Sequence, residues 1–400
     1  MTRGVTAAAL LLVAPPAFAQ LAVRGETVYT MAGPPMKDAV VLVRDGRIEK
    51  VGSGFAVPAG YRELRAKVVT PGLVDAHTVV GLAGYLNQPH DQDQLEPSAP
   101  LQPELRAIDA YNPEERLVAW VRGFGVTTIH AGHGPGAVVS GETLVAKTRG
   151  GTVEQAVVVP AAMVAATLGA GAKAEEGKSP GTRAKAVALL RAELVKAREH
   201  LAKKESAEEG KEPERSLRLE ALGAVLRRER PLLVTVNRAN DIVTSLRVAE
   251  EFGLRLVLDG AAEAYLVTDR IKAAGVPVIV HPTMARDFGE RENLSRETLG
   301  VLRRAGIPVA LQSGFESYVP KTRVVLFEAA AAATYGLPFE DALAAVTIDA
   351  ARVLGIDGRV GSLAPGKDGD LALYDGDPFD WRSHCVATVI EGEVVSEGNY

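Results

Sequence analysis

The sequence predicts an α/β protein: a (β/α)8 TIM barrel with a small composite β-sandwich domain formed by both ends of the chain. Three observations predict it. Apolar runs of strand length alternate with helical periodicity from residue 68 to residue 356, a repetition too long for a short doubly wound sheet. Strand-like segments without intervening helices flank that stretch on both sides, so each end needs the other to cover its edge and its apolar face. Finally, 47% hydrophobic and 24% charged residues are globular proportions and exclude wholesale disorder.

Taken in order, residues 1–19 are read as a signal peptide. Arg3 supplies a positive start, residues 7–13 a short apolar run, and Ala17-Phe18-Ala19 a small-x-small cleavage site, with the cut after Ala19. The run is too short to span a bilayer, and no cysteine follows it to carry a lipid anchor. The expectation is export, to a bacterial periplasm, with no membrane attachment after cleavage. Residues 20–67 form the N-terminal part of the sandwich: residues 39–44 and 47–51 read as strands joined by the turn pair Asp45-Gly46. Residues 68–356 form the barrel. Its strands are expected at 68–74, 126–129, 156–159, 232–236, 254–258, 276–280 and 307–311, with another in 142–147.

Within the barrel, residues 173–230 are a helical insertion rich in Ala, Leu, Glu, Lys and Arg. Amphipathic helices are expected at 182–204 and 213–230, with a solvated charged turn between them. Residues 357–400 complete the sandwich with β-like segments at 369–374 and 386–395. Leu371, Leu373, Val386, Val389 and Val394 are expected to pack on Val40, Val41 and Ile48.

Charge and cysteine usage exclude several function classes. Lys and Arg number 45 against 50 Asp and Glu, a net charge of −5, so nothing draws the chain to nucleic acid. The single cysteine, Cys385, permits no internal disulfide, Cys-based zinc site or iron–sulfur cluster. The glycine-rich stretch Gly132-His-Gly-Pro-Gly136 lacks the Lys-Ser/Thr of a phosphate loop, and there is no G-x-S-x-G nucleophile elbow.

Residues 71–78 read PGLVDAHT, residues 350–355 read AARVLG, and residues 361–371 read GSLAPGKDGDL. Gly125-Val-Thr-Thr128 and Arg238-Ala-Asn-Asp-Ile242 lie between them in order. Together these motifs, spread over residues 21–400, resemble the amidohydrolase superfamily, in its imidazolonepropionase-like and dihydroorotase-like branch. The resemblance implies metal-dependent hydrolysis of non-peptide C–N bonds. It implies two histidines on strand one, one each on strands five and six, and an aspartate on strand eight, often with a bridging lysine or glutamate. The metal would activate water and polarise a carbonyl, and the aspartate would act as general base.

Set on this sequence, the pattern keeps His77 and loses the rest. Val79, Thr235, Gly260 and Gly314 stand at the other ligand positions, and residues 160–166 offer no bridging lysine or glutamate. Valine and glycine side chains have no donor atoms, and one ligand cannot hold a catalytic zinc. A one-residue slip on strand six would bring Asp259 to the site. The expectation is therefore a non-catalytic ligand- or partner-binding member with no cofactor. Its partner is a small molecule or a protein, with homo- or hetero-oligomerisation with a related amidohydrolase left open. The alternative is an active amidohydrolase with a rearranged zinc site using His77, His130 and His281. The candidate pocket is His130, His133, Asn237, Glu263, His281, Gln312 and Ser313, all near C-terminal strand ends, where barrel sites form.

Overall fold

The computed structural model describes residues 20–174, 176–315 and 324–398. The expected signal peptide lies outside the described residues. The chain forms a mixed α/β fold in which a seven-stranded sheet stands beside two sheets of six and four strands.

Both ends of the chain build the seven-stranded sheet. In spatial order its strands are Glu393–Glu397, Cys385–Ile390, Leu371–Tyr374, Arg62–Pro71, Leu21–Val28, Met36–Arg44 and Arg47–Gly52. The two ends meet where Leu371–Tyr374 pairs antiparallel with Arg62–Pro71, Leu373 opposite Val69. Asp45 and Gly46 both take positive φ, as a tight hairpin turn requires. Alternation along the strands gives the sheet two apolar faces. One buries Leu21, Val23, Val41, Val43, Ile48, Leu371, Leu373 and Val389, with Val386 and Val394 partly covered. Val40 departs from the expected set: it faces the other side with Ala22 and Leu42, beneath Phe55, Val57 and Tyr61.

The strand expected at 68–74 is two strands. Arg62–Pro71 belongs to the seven-stranded sheet, and Leu73–Thr78 starts the next one. Gly72 is the joint, because a Cβ there would lie 2.2 Å from the Thr127 hydroxyl. Leu73–Thr78 pairs parallel with Val126–Ala131. Val164–Thr167, Leu232–Val236, Leu256–Gly260, Val278–Val280 and Val309–Leu311 run parallel in that order. A parallel bridge between Thr78 and Gly314 joins the segment just after Val309–Leu311 to Leu73–Thr78.

Between the two parallel sets the chain departs from the β–α repeat. Val139–Glu142 runs antiparallel to Val164–Thr167, and Leu144–Lys147 antiparallel to Val126–Ala131. The path from Val126–Ala131 to its neighbour Leu144–Lys147 holds no helix to make the crossover that a parallel neighbour demands. The strand expected at 156–159 is Val157–Val159, which pairs at the edge with Leu144–Lys147. The next parallel strand is Val164–Thr167, whose Val-Ala-Ala-Thr sequence carries little strand signal. The helical insertion contains Arg183–Glu205, capped by Thr182 accepting from the Lys185 amide at 3.2 Å, and Leu217–Leu226.

Candidate functional site

Strand alternation selects the side chains that point inward. Val74, Ala76, Leu233, Val257, Ile279 and Ala310 form one buried cluster enclosed by the parallel strands. Their alternates, such as Val234, Leu258, Val280 and Leu311, pack outward against the helices. Two residues further along each inward face come Thr235, Asp259, His281 and Gln312, and these line a cavity of about 280 Å³ with His77. Alternation thus makes Asp259, and not Gly260, the inward side chain of its strand.

Asp259 is the centre of the cavity floor. Nδ1 of His77 donates to its Oδ1 at 3.0 Å, Nε2 of Gln312 to the same oxygen at 2.8 Å, and Oγ1 of Thr235 to its Oδ2 at 2.5 Å. Burial alone would push both ionisable groups toward their neutral forms. The mutual attraction outweighs it, so His77 is raised above its ordinary value, helped by Asp75, and Asp259 is lowered, helped by Thr235 and Gln312. Asp75 of the PGLVDAH motif lies behind His77. It accepts from the Ser313 amide at 2.9 Å, fastening the Val309–Leu311 end to the first strand, and burial lifts its carboxyl to about 6.

Of the candidate pocket, Asn237, His281 and Gln312 line the cavity. His130 does not. Its Nδ1 donates to the Ala76 carbonyl at 2.7 Å and its Nε2 accepts from Thr143 at 2.6 Å; burial, with His77 nearby, drops it to about 3. His133 is buried beside Gly141 and lowered to about 4 by burial and His77. Ser313 bonds the Thr78 hydroxyl at 2.9 Å. Glu263 sits outside the cavity, accepting from the Ala239 amide, Arg238 and Asn293.

A divalent metal does not fit these residues. Among the described residues no three His, Cys, Asp or Glu side chains are grouped to hold one. Val79, Gly260 and Gly314 line the cavity without donor atoms, and Thr235 already gives its proton to Asp259. Of the His77, His130 and His281 set, His130 has both ring nitrogens engaged, with the Ala76 carbonyl and Thr143. His281 donates Nδ1 to the Pro282 carbonyl at 2.9 Å and is held near 4, chiefly by burial.

Sequence reasoning missed the cavity wall. Pro135, Thr167, Leu168, Pro282 and Phe288 line it, and Glu290 and Arg291 stand at its mouth. All but Thr167, which ends the weakly marked strand Val164–Thr167, lie on loops after strand ends, where no periodic signal marks them.

A model of the amidohydrolase family matches residues 234–396. Among curated proteins, amidohydrolase tasK of Hapsidospora irregularis is 26% identical over 390 residues, 88% of this chain and 39% of that protein. The chain therefore spans well under half the length of that relative. The imidazolonepropionase of Maricaulis maris is 26% identical over 367 residues, 85% of this chain and 88% of that one. Among solved structures, an amidohydrolase from Thermotoga maritima matches with a TM-score of 0.90 and 32% identity, over 94% of this chain and 100% of that one. A prolidase complexed with N-methylphosphonate-L-proline has a TM-score of 0.58 at 15% identity, a likeness of fold alone.

Proposed function

Since this chain belongs to the amidohydrolase superfamily, we propose that it is an exported, metal-free member whose cavity binds a small organic ligand through protein groups alone. In this reading the parallel strands close into the family's barrel across the Thr78–Gly314 bridge, and the seven-stranded sheet is the composite domain of the two chain ends. One observation carries the reading. At the end of the parallel strands, Asp259 already takes hydrogen bonds from His77, Thr235 and Gln312. A carboxylate neutralised by a neighbouring imidazole has little charge left to offer a cation. Metal hydrolysis requires several ligands and an open coordination position, and both oxygens of the Asp259 carboxylate are already taken by protein donors.

What remains for a ligand is a polar floor beneath apolar walls. Among the described residues the Asn237 side-chain amide makes no hydrogen bond, and Leu168, Phe288 and Phe315 supply apolar surface. Such a mixture suits an organic molecule better than a bare ion. The test is a melting-temperature screen of small polar compounds, run before and after chelator treatment. Compounds that stabilise the parent equally in both states, and lose their effect in Asn237→Leu, support the reading. Compounds that act only with added metal, or metal-dependent turnover of a cyclic amide, contradict it.

A further inference from the structure

Residues 282–297 leave the cavity floor at His281, cross its mouth, and rejoin the fold at helix Thr298–Arg304. This strap carries Phe288, Glu290 and Arg291 into the cavity wall. It has few apolar anchors: Ala285 and Leu294 are buried with Ala262, while Phe288 is 62% exposed. Polar contacts hold the rest. Arg183 donates to Glu290 at 2.6 Å, and the Ala170 amide donates to the same carboxylate at 3.0 Å. Arg238 donates to Glu292 at 2.7 Å, Asn293 to Glu263 at 2.8 Å, and Tyr265 to the Asn293 carbonyl at 2.9 Å.

The two ion pairs differ in where they lead. Glu263 follows Leu256–Gly260, the neighbour of the strap's own strand Val278–Val280, and Arg238 follows Leu232–Val236, one strand further. Glu290 instead reaches the loop after Val164–Thr167, whose Thr167, Leu168 and Gly171 form the opposite cavity wall. The strands Leu232–Val236 and Leu256–Gly260, with Thr235 and Asp259, lie between the two ends of that contact. Glu290 is thus the tie across the mouth. Arg183, itself fixed to Asp241 at 2.9 Å, is its backing.

We propose that residues 282–297 are a lid over the cavity, latched by Glu290 to Arg183 and the Ala170 amide, and that its release admits the ligand. The lid needs the cavity described above but no particular ligand, so its test is independent of the binding reading. Segments held by charge-assisted contacts and little apolar burial open at low free-energy cost. Arg183 is 39% exposed at its side chain, so solvent can compete for the pair.

The experiment places a reporter thiol inside. The chain's single cysteine, Cys385, is buried, leaving a low background. Asn237→Cys in the full chain is treated with N-ethylmaleimide, and the labelling rate measures opening. Adding Glu290→Ala is expected to raise that rate about tenfold or more, the equilibrium value of a charged hydrogen bond. Asp287→Asn, on the same strap, is expected to leave it unchanged. The proposal is overturned if Glu290→Ala labels no faster, or if Asn237→Cys alone reacts as fast as an exposed thiol. Should the thiol variant fold poorly, hydrogen exchange in the otherwise native chain decides. Glu290→Ala should speed exchange at Ala170 and across 289–294, and unchanged protection at both would overturn the lid.

Discussion

Two buried charge networks occupy opposite ends of the parallel strands, and they are built differently. At one end Lys147 donates to Asp368 at 2.9 Å and to Asp370 at 2.6 Å, with its own side chain 3% exposed. Asp368 also takes Arg47 and Arg359, and Asp370 takes the Glu391 amide at 2.9 Å. These contacts join Leu144–Lys147 to the segment entering the seven-stranded sheet. At the other end, Asp259 is equally well supplied, yet the histidines around it are not. His77, His133 and His281 each keep a buried Nε2 without a hydrogen-bond partner among the described residues. Among the described residues the Lys147 network leaves one such atom, Nε of Arg359, against three imidazole nitrogens here, and unmet buried atoms call for a reason. The comparison assigns the Lys147 cluster to stability and the Asp259 cluster to a cavity.

The largest expected effect lies in the first network. Lys147→Met leaves Asp370 buried without a cation, while Asp368 keeps Arg47 and Arg359, and should cost about 3–5 kcal/mol by denaturant unfolding, as breaking a buried pair does. A loss as small as that of an exposed lysine would break the comparison, because both networks would then be dispensable.

Asp259→Asn is expected to cost less, about 1–3 kcal/mol, since the amide oxygen still accepts from His77 and Gln312 on one side and only the Thr235 bond is lost. Its signature is pH dependence. His77 is raised in the fold, so its share of the stability is complete below its ordinary value near 6.5 and is lost as pH rises through the higher folded value. Asp259 is lowered, so its share is present above its ordinary value and is lost as pH falls through the folded one. The gap between parent and variant should therefore be widest in the mildly acidic range and narrow above neutrality. A gap that widens with rising pH would show that the two groups are not an ion pair.

Gly314→Asp, which restores the family residue, is expected to destabilise by about 1–3 kcal/mol through overpacking. Gly314 has φ of +71°, and a Cβ there would stand 2.7 Å from the Pro282 ring. Gly260 shares the left-handed backbone, at +75°. A Gly314→Asp protein as stable as the parent would mean that the family site can simply be rebuilt.

Those glycines mark the limit of what the sequence shows. The resemblance carried by PGLVDAHT and GSLAPGKDGDL was enough to expect an amidohydrolase, and with it came the expectation that Val79, Thr235, Gly260 and Gly314 stand at ligand positions. The turn at Asp45-Gly46 was legible because its chemistry is local. The His77–Asp259 pair was not, because it joins residues 182 apart and depends on a strand register that no single motif fixes. The antiparallel return at 139–147 was also hidden, since direction follows from the connection and leaves no trace in periodicity. Nor do the Glu290 contacts show in sequence, because loop residues obey no repeat.

On the proposed function, residue chemistry and not a metal organises the cavity floor. Elemental analysis of protein purified without chelator and then dialysed tests it most directly, read beside the melting temperature with and without chelator. The account predicts metal far below one equivalent per chain and a melting temperature that chelator leaves unchanged. A full equivalent of zinc, removed by chelator with a fall in melting temperature that His77→Ala reproduces, would contradict it.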